Sequence, residues 1–139
     1  QEGEAKSYTQ SQASSFGLDR PIVGKSVQID TVALEEQRVY VDGTSKPAKI
    51  AISAYKNLRT RVMLKMTELS INTVMVVGAA QNVGKTLTAI NLALAIARRS
   101  EKRVILVDMD LRSPSVHHVF GFKSTGCILD IAEGKKSSG

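Results

Sequence analysis

The sequence has no tryptophan, and aromatic residues make up only 4 % of it, so a core has to be built from aliphatic side chains. A single cysteine, Cys127, excludes an internal disulfide, and nothing argues for an oxidising compartment. No apolar run reaches the roughly 18 residues that a transmembrane helix needs. The N-terminal stretch QEGEAKSYTQSQASS is polar and lacks an apolar signal region. Acidic residues are the minority, 13 against 19 lysines and arginines, for a formal charge of +6. That surplus suits nucleotide, anionic lipid or nucleic acid. The basic residues are not interleaved with aromatics, so no nucleic-acid partner is expected. What is present, 139 residues of which 42 % are hydrophobic, is enough for one modest domain or part of a larger one.

The most informative stretch is TVMVVGAAQNVGKTLTAINL, residues 73–92. An apolar run, 73–77, leads into a loop and then into a helix-compatible segment. The loop, Ala79, Ala80, Gln81, Asn82, Val83, Gly84, Lys85, Thr86, is a phosphate-binding P-loop with alanine in place of the first glycine. Backbone N–H groups of such a turn converge on an anion, and the helix that starts there adds its positive dipole end. Gly84 lets the backbone approach a phosphate, Lys85 reaches the β- and γ-phosphates, and the Thr86 hydroxyl ligates Mg²⁺. Leu87, in the first turn, completes the expected nucleotide-binding set. A second GKS triplet, Gly24-Lys25-Ser26, is read as ordinary loop: no apolar strand precedes it, and Asp19 stands where the first small residue belongs.

Residues 1–46, rich in Gln, Ser, Gly and Lys, read as a polar arm, extended or disordered. Within it, 32–41 suggests a helical turn running into a short strand. From Pro47, residues Ala51, Ala54, Tyr55, Leu58, Val62 and Met66 recur at helical spacing, which predicts an amphipathic helix over 47–66. Its basic side reads as a solvated face, with contact to another subunit as the alternative. After the P-loop helix comes RVILVDMDLR, whose aliphatic run 104–107 suits a central parallel strand covered on both faces. Strand, helix and strand at this spacing predict a βαβ unit. Ligands bind at the carboxyl ends of such strands, where both the P-loop and the pair Asp108 and Asp110 fall. Alternation aims the two acids the same way. Beside a triphosphate they can hold Mg²⁺ or accept a proton from an attacking hydroxyl. Arg112 can bind a phosphate or pair with either acid. His117 and His118 point apart on a short helix over SVHHVF and form no metal site. CILDIAEG, 127–134, predicts a further helical turn or two.

With these motifs placed, the chain resembles the bacterial tyrosine kinases of capsule and exopolysaccharide production, relatives of the septum-positioning and plasmid-partition ATPases. AAQNVGKTLTAINLA, VILVDMDLRSPSVHHVFG and GCILDIAEG carry the likeness over about 75–134, a little under half the chain. The second block is similar to the family's Walker A′ motif, and it follows the P-loop by about 22 residues. AYKNLRTRV, 54–62, is similar to the helix before the family's first strand. The resemblance implies an α/β fold, a P-loop NTPase-type parallel sheet with flanking helices, incomplete in its C-terminal half. It implies transfer of the γ-phosphoryl group of MgATP to the protein's own tyrosines, with 47–139 as the N-terminal part of the kinase domain. Lys85 and Thr86 then match the nucleotide and Mg²⁺ residues. Asp108 and Asp110 match the acids that assist the metal and activate the tyrosine hydroxyl.

The departures from the family pattern narrow this expectation. Partition-type ATPases carry a second lysine where this chain has Ala80, which favours the kinase branch. The family's oligomer-forming helix has Glu, Arg and Arg where this one has Ser53, Lys56 and Arg59. The third acidic strand, Walker B, and the tyrosine-rich tail have no counterpart before Gly139, so the chain is expected to be a truncated member. Expected partners are ATP, a second copy through the 47–66 helix and a membrane polysaccharide-export protein. The expected location is the cytoplasm, at the inner face of the membrane through that partner. The alternatives are a partition- or septum-type ATPase, or a non-catalytic nucleotide-binding module docking an export partner.

Overall fold

The computed structural model describes residues 29–41, 43–98, 103–123 and 133–134. They contain α1 (Thr31–Glu36), α2 (Lys46–Glu68), α3 (Lys85–Ala97) and α4 (Val116–Val119). The Asp30 carboxylate starts α1 by accepting from the N–H groups of Val32 and Ala33. Ser45 starts α2: its Oγ accepts from Ala48 N and donates to Glu35 Oε1 at 2.6 Å, which ties α2 to α1. Pro47 sits in the first turn of α2, where its missing N–H costs nothing.

Three of these helices stop in the same way. The residue after each C-cap, Arg38, Ser70 or Gly121, has positive φ. The next N–H then reaches back to the last turn: Val39 to Leu34 O, Ile71 to Met66 O, Phe122 to His117 O. This is the Schellman pattern, in which a left-handed residue lets orphan carbonyls find donors. Only one of the three positions is glycine, so neither Arg38 nor Ser70 announces the stop in the sequence. At α1 the accompanying apolar contact is also present, because Leu34 and Val39 are both buried.

Those two residues form the core with Ile90 of α3. Val41, Leu87, Leu94, Leu106, Val119 and Phe120 pack around them. Residues 1–28 of the expected arm lie outside the described residues. Residues 29–41 differ from the arm reading: the helical turn expected within 32–41 is α1, among the described residues no strand follows it, and Leu34 and Val39 are among the most buried of the described side chains. A short helix can do this because it buries only one or two residues, too few to leave a periodic signal. Asn91 fastens the same segment to α3. Its Oδ1 accepts from Tyr40 N at 2.9 Å, and its Nδ2 donates to Arg38 O at 3.0 Å and to Leu87 O at 2.9 Å.

Helix α2 spans the expected 47–66 and packs on α3, and Ala51, Tyr55, Val62 and Met66 of the expected stripe are half-buried, but the inner face is turned in part from the one the apolar residues suggest. Ala54 and Leu58 are exposed, whereas Arg59 is half-buried and donates to Ala95 O at 3.2 Å. A guanidinium reaching a carbonyl of the neighbouring helix thus takes a place that periodicity alone gave to an apolar side chain.

The two apolar runs, 71–78 and 103–110, are not helical, and among the described residues neither is paired in a β-ladder. The second run alternates. Val104, Leu106 and Asp108 are half-buried, while Ile105, Val107 and Met109 are 70 %, 49 % and 67 % exposed. The expected burial on both faces is therefore corrected to burial on one, toward α3, through Leu106. Residues 124–132, which hold most of the last expected helical segment, lie outside the described residues.

Candidate functional site

The P-loop passes into α3 at the left-handed Gly84, the N-cap of that helix, with φ 89°. No side chain caps this helix, and among the described residues no hydrogen bond takes up the backbone N–H of Gly84, Lys85, Thr86 or Leu87. Four donors at the positive end of a helix therefore stay open, which is the donor set that a phosphate needs. A Cβ added at Gly84 would meet nothing within 4 Å, so its glycine is required by backbone conformation rather than by space. Asn82 also adopts positive φ, at 57°, a conformation asparagine tolerates better than most residues. The close approach lies one residue before the expected motif. At Gly78 a Cβ would stand 2.7 Å from Val83 Cγ2 and 3.0 Å from Lys85 Cγ. Alanine at 79 is tolerated because the tight contact belongs to Gly78, a position the motif pattern did not single out.

Lys85 Nζ donates to the carbonyl of Ala80 at 2.8 Å. The lysine thus folds back over the loop, with its charge on a backbone carbonyl. Ala79, Gln81, Asn82 and Val83 are exposed. Leu87 packs against the core, so only its N–H is available to a ligand.

Asp108 is brought to the same place. Its Oδ2 accepts from Ser115 N at 2.8 Å and Val116 N at 3.0 Å, and its Oδ1 from Asp110 N at 3.1 Å. Ser115 Oγ in turn lies 3.0 Å from Thr86 Oγ1. The P-loop and the acidic run, 22 residues apart, are thereby joined through one serine. Burial pushes the Asp108 pKa up, but the N–H donors of Val116, Ser115 and Asp110, with a lesser pull from His117, outweigh it. The net result is a carboxyl held below its ordinary value, a carboxylate at neutral pH.

Asp110 behaves differently from its neighbour. It is exposed and accepts from Ser113 N at 3.0 Å, and no recorded hydrogen bond joins it to the P-loop. The two acids therefore differ in setting, Asp108 half-buried and held by three amides, Asp110 exposed and held by one. Among the described residues Arg112 pairs with neither acid. His117 and His118 do not point apart as expected: their rings lie 3.9 Å from each other, tilted by 38°, and no group of three or more His, Cys, Asp or Glu residues that could hold a metal occurs among the described residues. Clefts of about 590 and 850 Å³ lie away from the P-loop, beside Met63 and Ile96 and beside Tyr55 and Lys56. Ser115 and Gly78 are the site residues that sequence reasoning missed. A serine opening a short helix after an acidic strand is too common to mark itself.

Residues 74–129 match the CobQ/CobB/MinD/ParA nucleotide binding domain. Among curated proteins, the chain is 38 % identical over 92 residues to a Klebsiella pneumoniae protein named as a candidate tyrosine-protein kinase in the cps region. It is 35 % identical over 89 residues to tyrosine-protein kinase wzc of Salmonella typhi, and 31 % over 93 residues to tyrosine-protein kinase YwqD of Bacillus subtilis (strain 168). These matches cover 66 %, 64 % and 67 % of this chain, but 13 %, 12 % and 39 % of the relatives. No solved structure matches.

Proposed function

We propose, for a chain that belongs to the bacterial tyrosine-protein kinase family and carries its nucleotide-binding domain, a MgATP-dependent phosphorylation of the protein's own tyrosines in the making of capsule or exopolysaccharide. The observation that carries the reading is the junction of Thr86, Ser115 and Asp108, which puts a metal-ligating hydroxyl and a carboxylate beside four open amides. MgATP supplies the transferable γ-phosphoryl group and the cation that balances its charge. The chain supplies the rest. The amides of 84–87 bind and orient phosphate oxygens. Lys85 exchanges the Ala80 carbonyl for a phosphate, a charge-assisted bond in place of a weaker one. Thr86 offers its hydroxyl to the metal, and Asp108 keeps a negative charge beside it. Asp110, exposed and singly bonded, accepts the proton of the tyrosine hydroxyl. Arg112 is exposed near the same edge and meets the outer phosphate oxygens.

Family names on relatives of which this chain spans a small part support the kinase reading. So does Ala80, which stands where partition-type ATPases carry lysine. Association of copies through α2, docking to an export protein of the membrane and a place at its inner face are parts of the same proposal. No described helix is long and apolar enough to cross a membrane.

The test is incubation of the protein with γ-labelled ATP and Mg²⁺, followed by phosphoamino-acid analysis and measurement of nucleotide affinity. The expected result is label on tyrosine, with Lys85→Met abolishing label and weakening ATP binding at least about tenfold. Phosphate released to water with no protein label would point instead to a partition-type ATPase.

A further inference from the structure

A hydroxyl oxygen that ligates a cation turns a lone pair toward it, and its proton is repelled. That proton needs an acceptor on the other side, since a hydroxyl has one donor and two acceptor positions. The groups behind a metal ligand fix its orientation and raise its basicity. Around Thr86 the choice of acceptor is narrow. The Asp108 oxygens are engaged by the amides of Asp110, Ser115 and Val116. The recorded partner of Thr86 Oγ1 is Ser115 Oγ, at 3.0 Å, and either oxygen can be the donor of that bond.

We propose that Ser115 is a positioning residue for the metal: its Oγ accepts the Thr86 proton and so aims the Thr86 lone pair at Mg²⁺. The inference rests on the MgATP reading above. Ser115 is held for this task by its own N–H on Asp108. Asp108 thus reaches the metal site through Ser115, by fixing where that hydroxyl stands. With metal bound the direction of the hydrogen bond is set, Thr86 donating, and the Ser115 proton turns away toward solvent or a phosphate oxygen.

The test compares ATP affinity in EDTA with the Mg²⁺ concentration at half-maximal gain of affinity, for the whole chain and its variants. For Ser115→Ala the expected result is ATP affinity in EDTA within about twofold of the parent and a Mg²⁺ midpoint raised about tenfold or more. Ser115→Thr, which keeps the acceptor, restores the midpoint. A thermal unfolding midpoint measured alongside checks the fold. Should Ser115→Ala not fold, Ser115→Cys, similar in size and a weak acceptor, takes its place with the same expected shift. An unchanged Mg²⁺ midpoint overturns the inference, and so does an equal loss with and without metal, which marks a merely structural serine. A parent protein whose ATP binding gains nothing from Mg²⁺ overturns the MgATP reading itself, and the inference falls with it.

Discussion

Asp108 shows how one side chain can carry both shape and charge. Its three amide partners bind the carboxylate more strongly than the neutral acid, so protonation loosens the turn. The folded pKa lies below the unfolded one, so the stability it lends is complete above the unfolded value, about pH 4, and is lost as pH falls through the folded value. A ¹³C-detected titration should therefore place the Asp108 carboxyl below the ordinary aspartate value. Asp108→Asn should destabilise the protein at pH 7, with the gap to the parent closing below about pH 4. A gap constant down to pH 2 would show that the bonds survive protonation. The acid itself was legible in the sequence, as the end of an apolar run. Its three donors were not, because they come from a bend and a four-residue helix whose backbone directions no local pattern sets.

At the level of elements, the fold depends on how α3 is gripped. It carries the P-loop at its start and Asn91 in its middle, 3 % exposed. Among the described residues, Asn91 is the side chain that forms hydrogen bonds between α3 and the segment after α1. Asn91→Leu keeps the volume but strands Tyr40 N and Arg38 O, each costing about 1–3 kcal/mol when buried. We expect a loss of about 2–4 kcal/mol in urea unfolding. A loss below about 0.5 kcal/mol would mean that water replaces the amide. The sequence foretold α3 from its apolar content, and that same pattern hid Asn91, one polar residue in a run that reads as core. Helix α2 teaches the complementary point. Its length was evident from spacing, whereas its rotation followed from the Arg59 bond to Ala95, a contact decided by the partner helix.

For the molecule as a whole, the governing quantity is charge. The surplus of +6 is concentrated in part on α2, where Lys46, Lys49, Lys56, Arg59, Arg61 and Lys65 face a single acid, Glu68. Among the described residues the recorded ion pair is Lys65 with Glu68, at 2.9 Å. Such a field attracts ATP over distances near the Debye length, about 10 Å at 0.1 M salt. Raising NaCl from about 0.05 to 0.5 M should slow ATP association at least about threefold while leaving dissociation nearly unchanged. Equal effects on both rates would assign the salt dependence to contacts within the bound complex.

The sequence by itself determined where the phosphate-binding turn lies, where the helix behind it runs, how far α2 extends and which carboxylates end the second apolar run. Each follows from interactions between near neighbours: helical spacing, the freedom of a glycine at φ 89°, alternation along an extended chain. The tertiary structure alone decided that Leu34 and Val39 belong to the core, that Asn91 clasps the segment before α2, that Asp108 and Asp110 differ in setting, and that Ser115 stands between Thr86 and Asp108. Those partners are separated by up to about 50 residues. What brings them together is the burial of apolar surface around Ile90, a property of the packed chain that no short stretch of it contains.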